Sequence, residues 1–529
     1  MMEMAKTWRD IPIENIGPML LGCREQQSWK KWWGNLPLYP TYSLPGARAL
    51  MVYCVAVCVA AGEQDNSNHL GWMNADYDEI FKDDAHPSYN CNTYLQFIGP
   101  EESTTRAYDC RDQIVNFIGE LRDRKIVTLG QLMEWLMDKN GSLQGQQQDL
   151  SPAKEQLVNS LNNGDFYQIW YRWQLRKKIK AISVGEEALD HLEHGAKQII
   201  FNGAPGTGKS HVSELLARYL GAILPGEANP YVRVQFHPSY DYTDFVEGLR
   251  PVQINGESKF VKLDGHFKAF CRQAAEQNRA EKKKIGEDAE KEEKYRKYLD
   301  DNKYFFLIDE INRADLSKVF GELMYCLEAD KRGPKHTVKT QYQNLSTYGF
   351  NAPDGSKEPQ KPKIAAPITD DVFEDGFYIP ENVYILGTMN DIDRSVESMD
   401  FALRRRFEFM ELKVDGRSLQ RAFETMGLGE IAEDLAKSVN ALNETIEEDG
   451  EKYGLNRDYF ISQGQFAHLP SELPKRDDEK TELVGDLAKI KYYVWKYRIE
   501  PLLREYLRGE SGVDDFVGTC KEKFFSPEG

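Results

Sequence analysis

The sequence lacks several features that would at once assign it to a class of protein. Its eight cysteines include no CxxC pair and meet no His cluster, so a structural zinc site is not expected. Its longest apolar run, residues 49–62, is too short to cross a bilayer, and the amino terminus has no signal-peptide pattern. These absences predict a cytoplasmic protein with no membrane segment.

An excess of positive charge is also missing. The 529 residues carry 67 Lys and Arg against 85 Asp and Glu, a formal net charge of −18. A surface that coats nucleic acid regardless of sequence neutralises phosphates with Lys and Arg, so such a surface is not expected here. The net charge of the whole chain does not exclude a local basic patch. The length exceeds what one hydrophobic core supports, which predicts roughly two to four domains.

Residues 1–165 are expected to form a separate N-terminal domain, mixed or α-rich. Helices are predicted over 49–62 and 114–136, a polar linker over 141–149, and a bridging helix over 165–182. Trp29, Lys30, Lys31, Trp32 and Trp33 combine aromatic and basic groups that could hold a flipped base. We favour the alternative that these tryptophans fill the domain's core. Residues 1–150 hold 13 Lys and Arg against 20 Asp and Glu, whereas duplex-coating domains are usually basic.

From residue 198 onward, short apolar strands alternate with longer segments, which is typical of an α/β sheet. Five strands are predicted, over residues 198–202, 232–236, 304–308, 383–386 and 407–412. The charged stretch 273–302 predicts a solvated helix, and the Gly-, Pro- and Lys-rich stretch 333–379 predicts a long loop or hairpin. Residues 415–510 are predicted to be helical.

The strongest motif is a phosphate-binding loop of the form GxxxxGK[ST], between a predicted strand and a predicted helix. The glycines let backbone N–H groups turn inward around phosphate oxygens, and the helix N-terminus adds partial positive charge. The lysine can reach the β- and γ-phosphates, and the serine hydroxyl can bind Mg²⁺. The predicted nucleotide-binding residues are Gly203, Ala204, Pro205, Gly206, Thr207, Gly208, Lys209, Ser210 and His211.

Two carboxylates follow the apolar strand predicted over 304–308, about 100 residues after the loop. Asp309 is expected to hold the metal, directly or through water. Glu310 is expected to act as the general base for an attacking water. This pair, together with the loop, predicts hydrolysis of a nucleoside triphosphate.

Two polar stretches further along the chain have both a functional and a structural interpretation. Asn390 can position the attacking water beside the γ-phosphate, or it can cap a turn after a strand. Arg404, Arg405 and Arg406 can form a solvated corner, or they can project into the nucleotide of a neighbouring subunit as an arginine finger.

The order of these motifs resembles the AAA+ superfamily. Within it, the chain resembles the McrB family, the GTP-hydrolysing subunits of modification-dependent restriction systems. The likeness rests on the phosphate-binding loop, on residues 234–245, 308–322 and 378–384, on the MNDIDRS element at 389–395, and on the arginine triplet. It covers about residues 185–510. It implies an AAA+ P-loop core over 166–414, with a parallel five-stranded sheet flanked by helices, and a helical lid with a tail over 415–529.

The resemblance also implies roles for single residues. Asn390, with Asp393 behind it, is similar to the family's water-positioning sensor. Arg405 most resembles the finger that acts on the neighbouring subunit, with Arg313 and Arg406 as interface or sensor arginines. The family further implies a hexameric ring, GTP over ATP as substrate, and DNA, possibly modified, as target. Because the sequence shows no convincing nuclease constellation, it also implies a McrC-like endonuclease partner.

Two other functions stay open. One is a MoxR-like chaperone that remodels proteins with ATP and has no DNA ligand. The other is a scaffold that hydrolyses nucleotide slowly and signals by assembly. The sequence departs from the McrB pattern in ending its loop with Ser210, where Thr is usual, in the length of the 333–379 insertion, and in its N-terminal domain.

Overall fold

The computed structural model of this protein describes residues 8–12, 125–131, 165–224, 229–254, 257–286, 289–350, 364–392, 401–469 and 487–527. The chain divides into two compact units, Met1–Arg176 and Lys177–Gly529. In the first unit, a short turn at Trp8–Asp10 is followed by a bridge between Pro12 and Thr128. The predicted helix 49–62, the linker 141–149 and residues 29–33 lie outside the described residues. Of the predicted helix 114–136, only 125–131 are described.

A five-stranded parallel sheet forms the centre of the second unit, as the sequence predicts. The strands are β1 (Gln198–Asn202), β2 (Tyr231–Gln235), β3 (Glu247–Ile254), β4 (Glu257–Asp264), β5 (Tyr304–Asp309), β6 (Tyr348–Phe350), β7 (Ile364–Pro367), β8 (Val383–Thr388) and β9 (Glu408–Glu411). The strand order in the sheet is β2-β5-β8-β1-β9, and two antiparallel pairs, β3-β4 and β6-β7, are not part of it. Each predicted sheet strand is present, with ends that differ by one or two residues.

The three central strands are buried almost throughout, which explains their uninterrupted apolar sequences. In β1, β5 and β8, only Asn202 and Asp309, each the last residue of its strand, are partly exposed. Parallel strands covered by helices on both faces have no polar side to alternate with. Their carboxyl ends meet at one edge of the sheet, where polar residues can emerge together.

Helices cover this sheet and then form a separate bundle after β9. They are α1 (Asp165–Ala181), α2 (Gly185–Glu193), α3 (Lys209–Leu220), α4 (Tyr242–Phe245), α5 (His266–Ile285), α6 (Ala289–Asp301), α7 (Leu316–Phe320), α8 (Phe401–Arg404), α9 (Gly416–Thr425), α10 (Ala432–Glu448), α11 (Leu487–Val494), α12 (Glu500–Tyr506) and α13 (Val513–Phe525). No helix within the described ranges is long and apolar enough to cross a membrane.

The charged stretch 273–302 departs from the predicted single solvated helix. It contains the end of α5 and all of α6, because Gly286 ends α5 with a φ of 91° that other residues rarely adopt. The part of α5 that falls at the start of this stretch is also not solvated, since Ala274, Ala275 and Asn278 are buried. Charge density predicted exposure correctly only for the later part of the stretch.

The helical bundle has its own hydrophobic core, built from α9, α10, α11, α12 and α13. A π-helical turn, Trp495–Ile499, joins α11 to α12. Pro501 accounts for this turn, because proline has no N–H to donate to the carbonyl four residues earlier. The prediction of helices over 415–510 is thus confirmed for 416–448 and 487–506, whereas 449–469 contain only short turns and 470–486 lie outside the described residues.

The hairpin β3-β4 was not predicted. It pairs eight residues on each strand, from Glu247 with Asp264 to Ile254 with Glu257. Its strands contain Pro251 and no sustained apolar alternation, but Asn255-Gly256 between them is a typical hairpin-turn sequence that the prediction overlooked. The predicted loop or hairpin at 333–379 does contain a hairpin, β6-β7, while residues 351–363 lie outside the described residues.

A buried ion pair holds the base of the β3-β4 hairpin to α5. Lys268 donates to Glu247 over 2.5 Å, and the two side chains are 1% and 0% exposed. Lys262, on β4, lies 3.8 Å from the same carboxylate. Removing one partner of a buried pair leaves the other charge desolvated without compensation.

We therefore expect Lys268→Met to lower the free energy of unfolding by about 3 kcal/mol or more. Lys294→Met is the matched control, because Lys294 pairs with Glu290 on the solvated surface of α6, where the side chains are 64% and 82% exposed. Chemical denaturation of the full chain measures both. Equal midpoints for the two variants would contradict a structural role for the buried pair.

Candidate functional site

The phosphate-binding loop connects β1 to α3 at the carboxyl edge of the sheet. Its three glycines all have positive φ: 132° at Gly203, 79° at Gly206 and 94° at Gly208. L-residues with a side chain rarely adopt these angles, which explains the glycines that the motif requires at 203 and 208 and the further glycine at 206. A Cβ on Gly203 would also lie 2.7 Å from the carbonyl oxygen of Leu412. The predicted strand–loop–helix context is confirmed.

Lys209 lies at the start of α3 with its ammonium group turned back into the loop. It donates to the carbonyl oxygens of Gly203 (2.9 Å) and Ala204 (2.7 Å) and is 7% exposed. Burial lowers the pKa of Lys209 to about 8, opposed by the negative charges of Asp391 and Glu310. A cation desolvated in this way is stabilised by any anion that comes within contact distance.

The hydroxyl and carboxylate predicted to bind metal are brought together. Ser210 Oγ donates to Asp309 Oδ1 over 2.8 Å, and Thr388 Oγ1 donates to the same oxygen over 3.0 Å. Oxygen donors of this kind suit Mg²⁺, which is usually held by one or two carboxylates together with substrate phosphates. Among the described residues, no group of three or more His, Cys, Asp or Glu could hold a metal alone. The residues fit a magnesium ion shared with a substrate.

Glu310 has an unusual backbone and a well-defined side chain. Its φ of 54° and ψ of 47° place it in the left-handed region, which costs free energy for a residue with a side chain. Its Oε1 accepts from Asn390 Nδ2 over 2.6 Å, and Arg313 Nε lies 3.4 Å from its Oε2. The structure therefore joins the predicted base, the predicted sensor and one predicted arginine in a single cluster.

The three consecutive arginines have different surroundings, as adjacent residues on a helix end should. Arg404 lies over the ring of Phe409, with its guanidinium carbon 5.3 Å from the ring centroid. Arg406 pairs with Glu328 over 2.8 Å and donates to the carbonyl oxygen of Ala402 over 2.7 Å. Arg405 is exposed, and its side chain forms no hydrogen bond or ion pair with the described residues.

Besides Arg405 and Arg406, the predicted His211 is not part of this cluster. His211 lies in the first turn of α3 and is exposed. Asp393 lies outside the described residues, as does Arg394 of the same signature element. The other predicted positions, from Gly203 to Ser210 and at Asp309, Glu310, Arg313 and Asn390, lie at the carboxyl edge of β1, β5 and β8.

Sequence reasoning missed several residues that contact the site. Arg233 on β2 places its Nε 3.6 Å from Asp309 Oδ2 and donates to Glu214 over 3.1 Å. Thr388 ends β8 beside Asp309, and it could have been found because it precedes the Met-Asn pair of the signature element. No sequence pattern identifies Arg233 as a site residue, because its position beside Asp309 depends on β2 pairing with β5.

A segment of the helical bundle also contacts the loop and was missed. Ser462 Oγ donates to the carbonyl oxygen of Pro205 over 2.7 Å. Gln463 Nε2 donates to the carbonyl oxygen of Thr207 over 2.6 Å. About 250 residues separate these partners in sequence, so no local pattern could have joined them.

Comparison with known proteins agrees with this geometry. Residues 198–407 match the family of AAA domains of the dynein-related subfamily. The chain is 37% identical over 275 residues to the type IV methyl-directed restriction enzyme EcoKMcrB subunit of Escherichia coli K12, covering 50% of this chain and 47% of that protein. In sequence, the chain is therefore similar to McrB-like AAA+ proteins.

A second relative of this McrB-like chain is the type II restriction enzyme BsuMI component YdiS of Bacillus subtilis 168. It is 32% identical over 237 residues, which cover 40% of this chain and 57% of that protein. The McrB-like chain thus spans about half the length of the curated relatives it matches. A solved structure of an ATPase candidate from Cytophaga hutchinsonii is 16% identical to this chain. The match covers 56% of this chain and 75% of that one, and its TM-score of 0.25 is too low to bear on the fold.

The pKa of Lys209 predicts how nucleotide binding depends on pH. Below pH 8 the lysine is charged and binding takes up no proton there. Above pH 8 the free lysine is partly neutral, and phosphate oxygens restore its charge, so binding takes up a proton and affinity falls as pH rises. Calorimetric titration at pH 8.5 in two buffers of different ionisation enthalpy measures this uptake.

Lys197 provides the control for this titration. Burial lowers its pKa to about 8 as well, but its ammonium donates to the hydroxyl of Tyr384 over 2.9 Å. Lys197→Met should therefore leave the proton uptake unchanged. An affinity that stays flat from pH 7 to about 9.5, with no uptake, would contradict the role assigned to Lys209.

Proposed function

We propose that this chain is the nucleoside-triphosphatase motor of a McrB-like restriction or anti-phage complex, with GTP preferred over ATP. The observation that supports hydrolysis most directly is the paired arrangement at the sheet edge. Ser210 and Thr388 meet the Asp309 carboxylate, and Asn390 meets Glu310. A loop that only bound phosphate would not need a second carboxylate held by an amide. The preference for GTP comes from the family, since phosphate-binding groups do not distinguish the bases.

Each residue of the cluster has a separate task in the proposed reaction. The amides of the loop and the Lys209 ammonium bind the β- and γ-phosphates and stabilise the charge that develops on them. Ser210 and Asp309 would hold Mg²⁺, which neutralises phosphate charge when it is bound. Glu310 accepts a proton from the attacking water. Asn390, hydrogen-bonded to Glu310, orients that water, and Asp393 supports it in this role.

A neighbouring copy of the chain completes the site in this proposal. Arg406 is engaged within its own subunit by Glu328, and Arg404 lies against Phe409. Arg405 is exposed and has no side-chain partner among the described residues, so it can reach a second subunit. We propose that it acts there as the arginine finger in a hexameric ring. Arg313, close to Glu310, then belongs to the subunit that supplies the base.

The proposed partners are DNA and a separate McrC-like endonuclease. Both curated relatives are named as restriction-enzyme components, which favours a DNA target over the protein substrate of a MoxR-like chaperone. In this proposal residues 1–165 select the target, residues 166–414 hydrolyse nucleotide, and residues 415–529 form the lid. Hydrolysis would drive translocation or remodelling of DNA until the partner cuts.

Nucleotide turnover by the purified chain tests the proposal. With Mg²⁺ present, we expect GTP to be hydrolysed faster than ATP, and a McrC-like partner with methylated DNA to raise the rate. Glu310→Gln should bind nucleotide as the wild type does and lose turnover by about 100-fold or more, because an amide cannot accept the proton. A chain that binds neither nucleotide contradicts the proposal, and faster turnover of ATP contradicts its GTP preference.

Mixing two inactive variants tests the arginine finger. Arg405→Ala should assemble normally but lose about 1000-fold in rate, whereas Arg404→Ala, with the same loss of charge, should stay close to the wild type. Mixed with Glu310→Gln protein, Arg405→Ala should regain activity. Roughly one interface in four then joins an intact Glu310 to an intact Arg405 from the neighbour. Full activity of Arg405→Ala alone, or no recovery on mixing, would contradict the assignment.

A further inference from the structure

Three consecutive carbonyl groups of the phosphate-binding loop are hydrogen-bonded by one segment of the lid, residues 462–464. The Ser462 hydroxyl donates to Pro205 over 2.7 Å, and the Gln463 amide donates to Thr207 over 2.6 Å. Between them, the backbone N–H of Gly464 donates to the carbonyl of Gly206 over 3.0 Å. Ser462 is fully buried by this contact. Each residue of the lid segment therefore donates one hydrogen bond to a carbonyl group of the loop.

These contacts determine where the loop's own N–H groups point. In a trans peptide unit, the C=O of one residue and the N–H of the next point in opposite directions. Holding the carbonyls of Pro205, Gly206 and Thr207 toward the lid turns the following three N–H groups away from it, into the loop. A hydrogen bond at the carbonyl also polarises the peptide unit and strengthens its N–H as a donor. The lid thus acts on the groups that would bind phosphate.

The central contact is made between two main chains with no room for a side chain. A Cβ on Gly464 would lie 2.6 Å from both the Cα and the carbonyl oxygen of Gly206. These are backbone atoms that cannot rotate away, so any side chain at Gly464 must push the segment off the loop. A Cβ on Gly206 would in turn lie 2.6 Å from Ser462 Oγ.

The segment is attached firmly to the core of the lid behind it. Asn443 of α10, which is 2% exposed, donates to the carbonyl of Ile461 over 2.9 Å and accepts from its N–H over 2.7 Å. Phe466 packs edge-on against Phe423 with 4.8 Å between ring centroids. Arg498 donates to the carbonyls that follow the segment, at residues 465 and 467. A movement of the lid must therefore carry the segment with it.

We propose that Ser462, Gln463 and Gly464 form a second layer of the triphosphate site, which orients the loop amides and links lid position to nucleotide affinity. They are positioning residues, because they touch the loop and not the phosphates. The inference rests on the proposed nucleotide-binding function of the loop. Nucleotide then binds tightly only when the lid is docked on the loop, and a lid that moves off the loop releases nucleotide.

Gly464→Ala in the full chain tests this layer, with Gly518→Ala as its control. A Cβ on Gly518, in α13 of the same lid, meets nothing within 4 Å. We expect Gly464→Ala to raise the Kd for GTP and ATP with Mg²⁺ by about tenfold or more, with kcat changed less than KM. Gly518→Ala should bind as the wild type does. Hydrogen exchange should quicken at the amides of residues 206–208 of Gly464→Ala and stay unchanged in α10.

Gln463→Met provides a second measurement that does not strain the backbone. Methionine keeps the length of the side chain and loses the donor to Thr207, so Kd should rise about fivefold. Gln465→Met, two residues away, is the control. Wild-type affinity in both Gly464→Ala and Gln463→Met overturns the inference. A wild-type chain that binds neither nucleotide overturns the proposed function instead.

Discussion

The site depends on the parallel alignment of β1, β5 and β8. Phe201 pairs with Thr388, and Ile308 pairs with Gly387, so the three strands end at the same level. This alignment brings the loop after β1, the carboxylates after β5 and the amide after β8 within hydrogen-bonding distance. The polar residues of the site follow the ends of buried strands, where the chain leaves the apolar core and polar side chains are no longer excluded. A shift of one strand by a single residue would turn its side chains to the opposite face.

Much of this arrangement could be predicted from the sequence, because the signals are local. A phosphate-binding loop with glycines at fixed positions requires a strand before it and a helix after it, and both are present. Apolar runs of five or six residues gave the central strands to within two residues at their ends. Asp309, Glu310 and Asn390 could be identified because each follows such a run. Asp309 and Glu310 were predicted from position along the chain, whereas the sensor role of Asn390 came from the resemblance to the AAA+ superfamily.

The features that were missed depend on contacts between distant segments. The β3-β4 hairpin is held by a lysine of α5 that reaches a buried glutamate 21 residues earlier, and no periodicity shows this. Arg233 meets Asp309 only because the sheet order places β2 beside β5. The charged stretch 273–302 misled because its composition hides Gly286, where one helix ends. In each case, tertiary packing or a single backbone angle overrides a compositional trend.

The approach of Gly206 to Gly464 has a consequence for how such proteins can diverge. The central hydrogen bond is made by main-chain atoms that every residue has, so it constrains only the two glycines, and the flanking contacts constrain Ser462 and Gln463. Mutation can then alter the rest of the lid sequence widely, provided that neither glycine acquires a side chain. Homologues with little overall similarity in this subdomain can thus retain the junction, and in an alignment it would be visible as two invariant glycines with donor side chains beside the second.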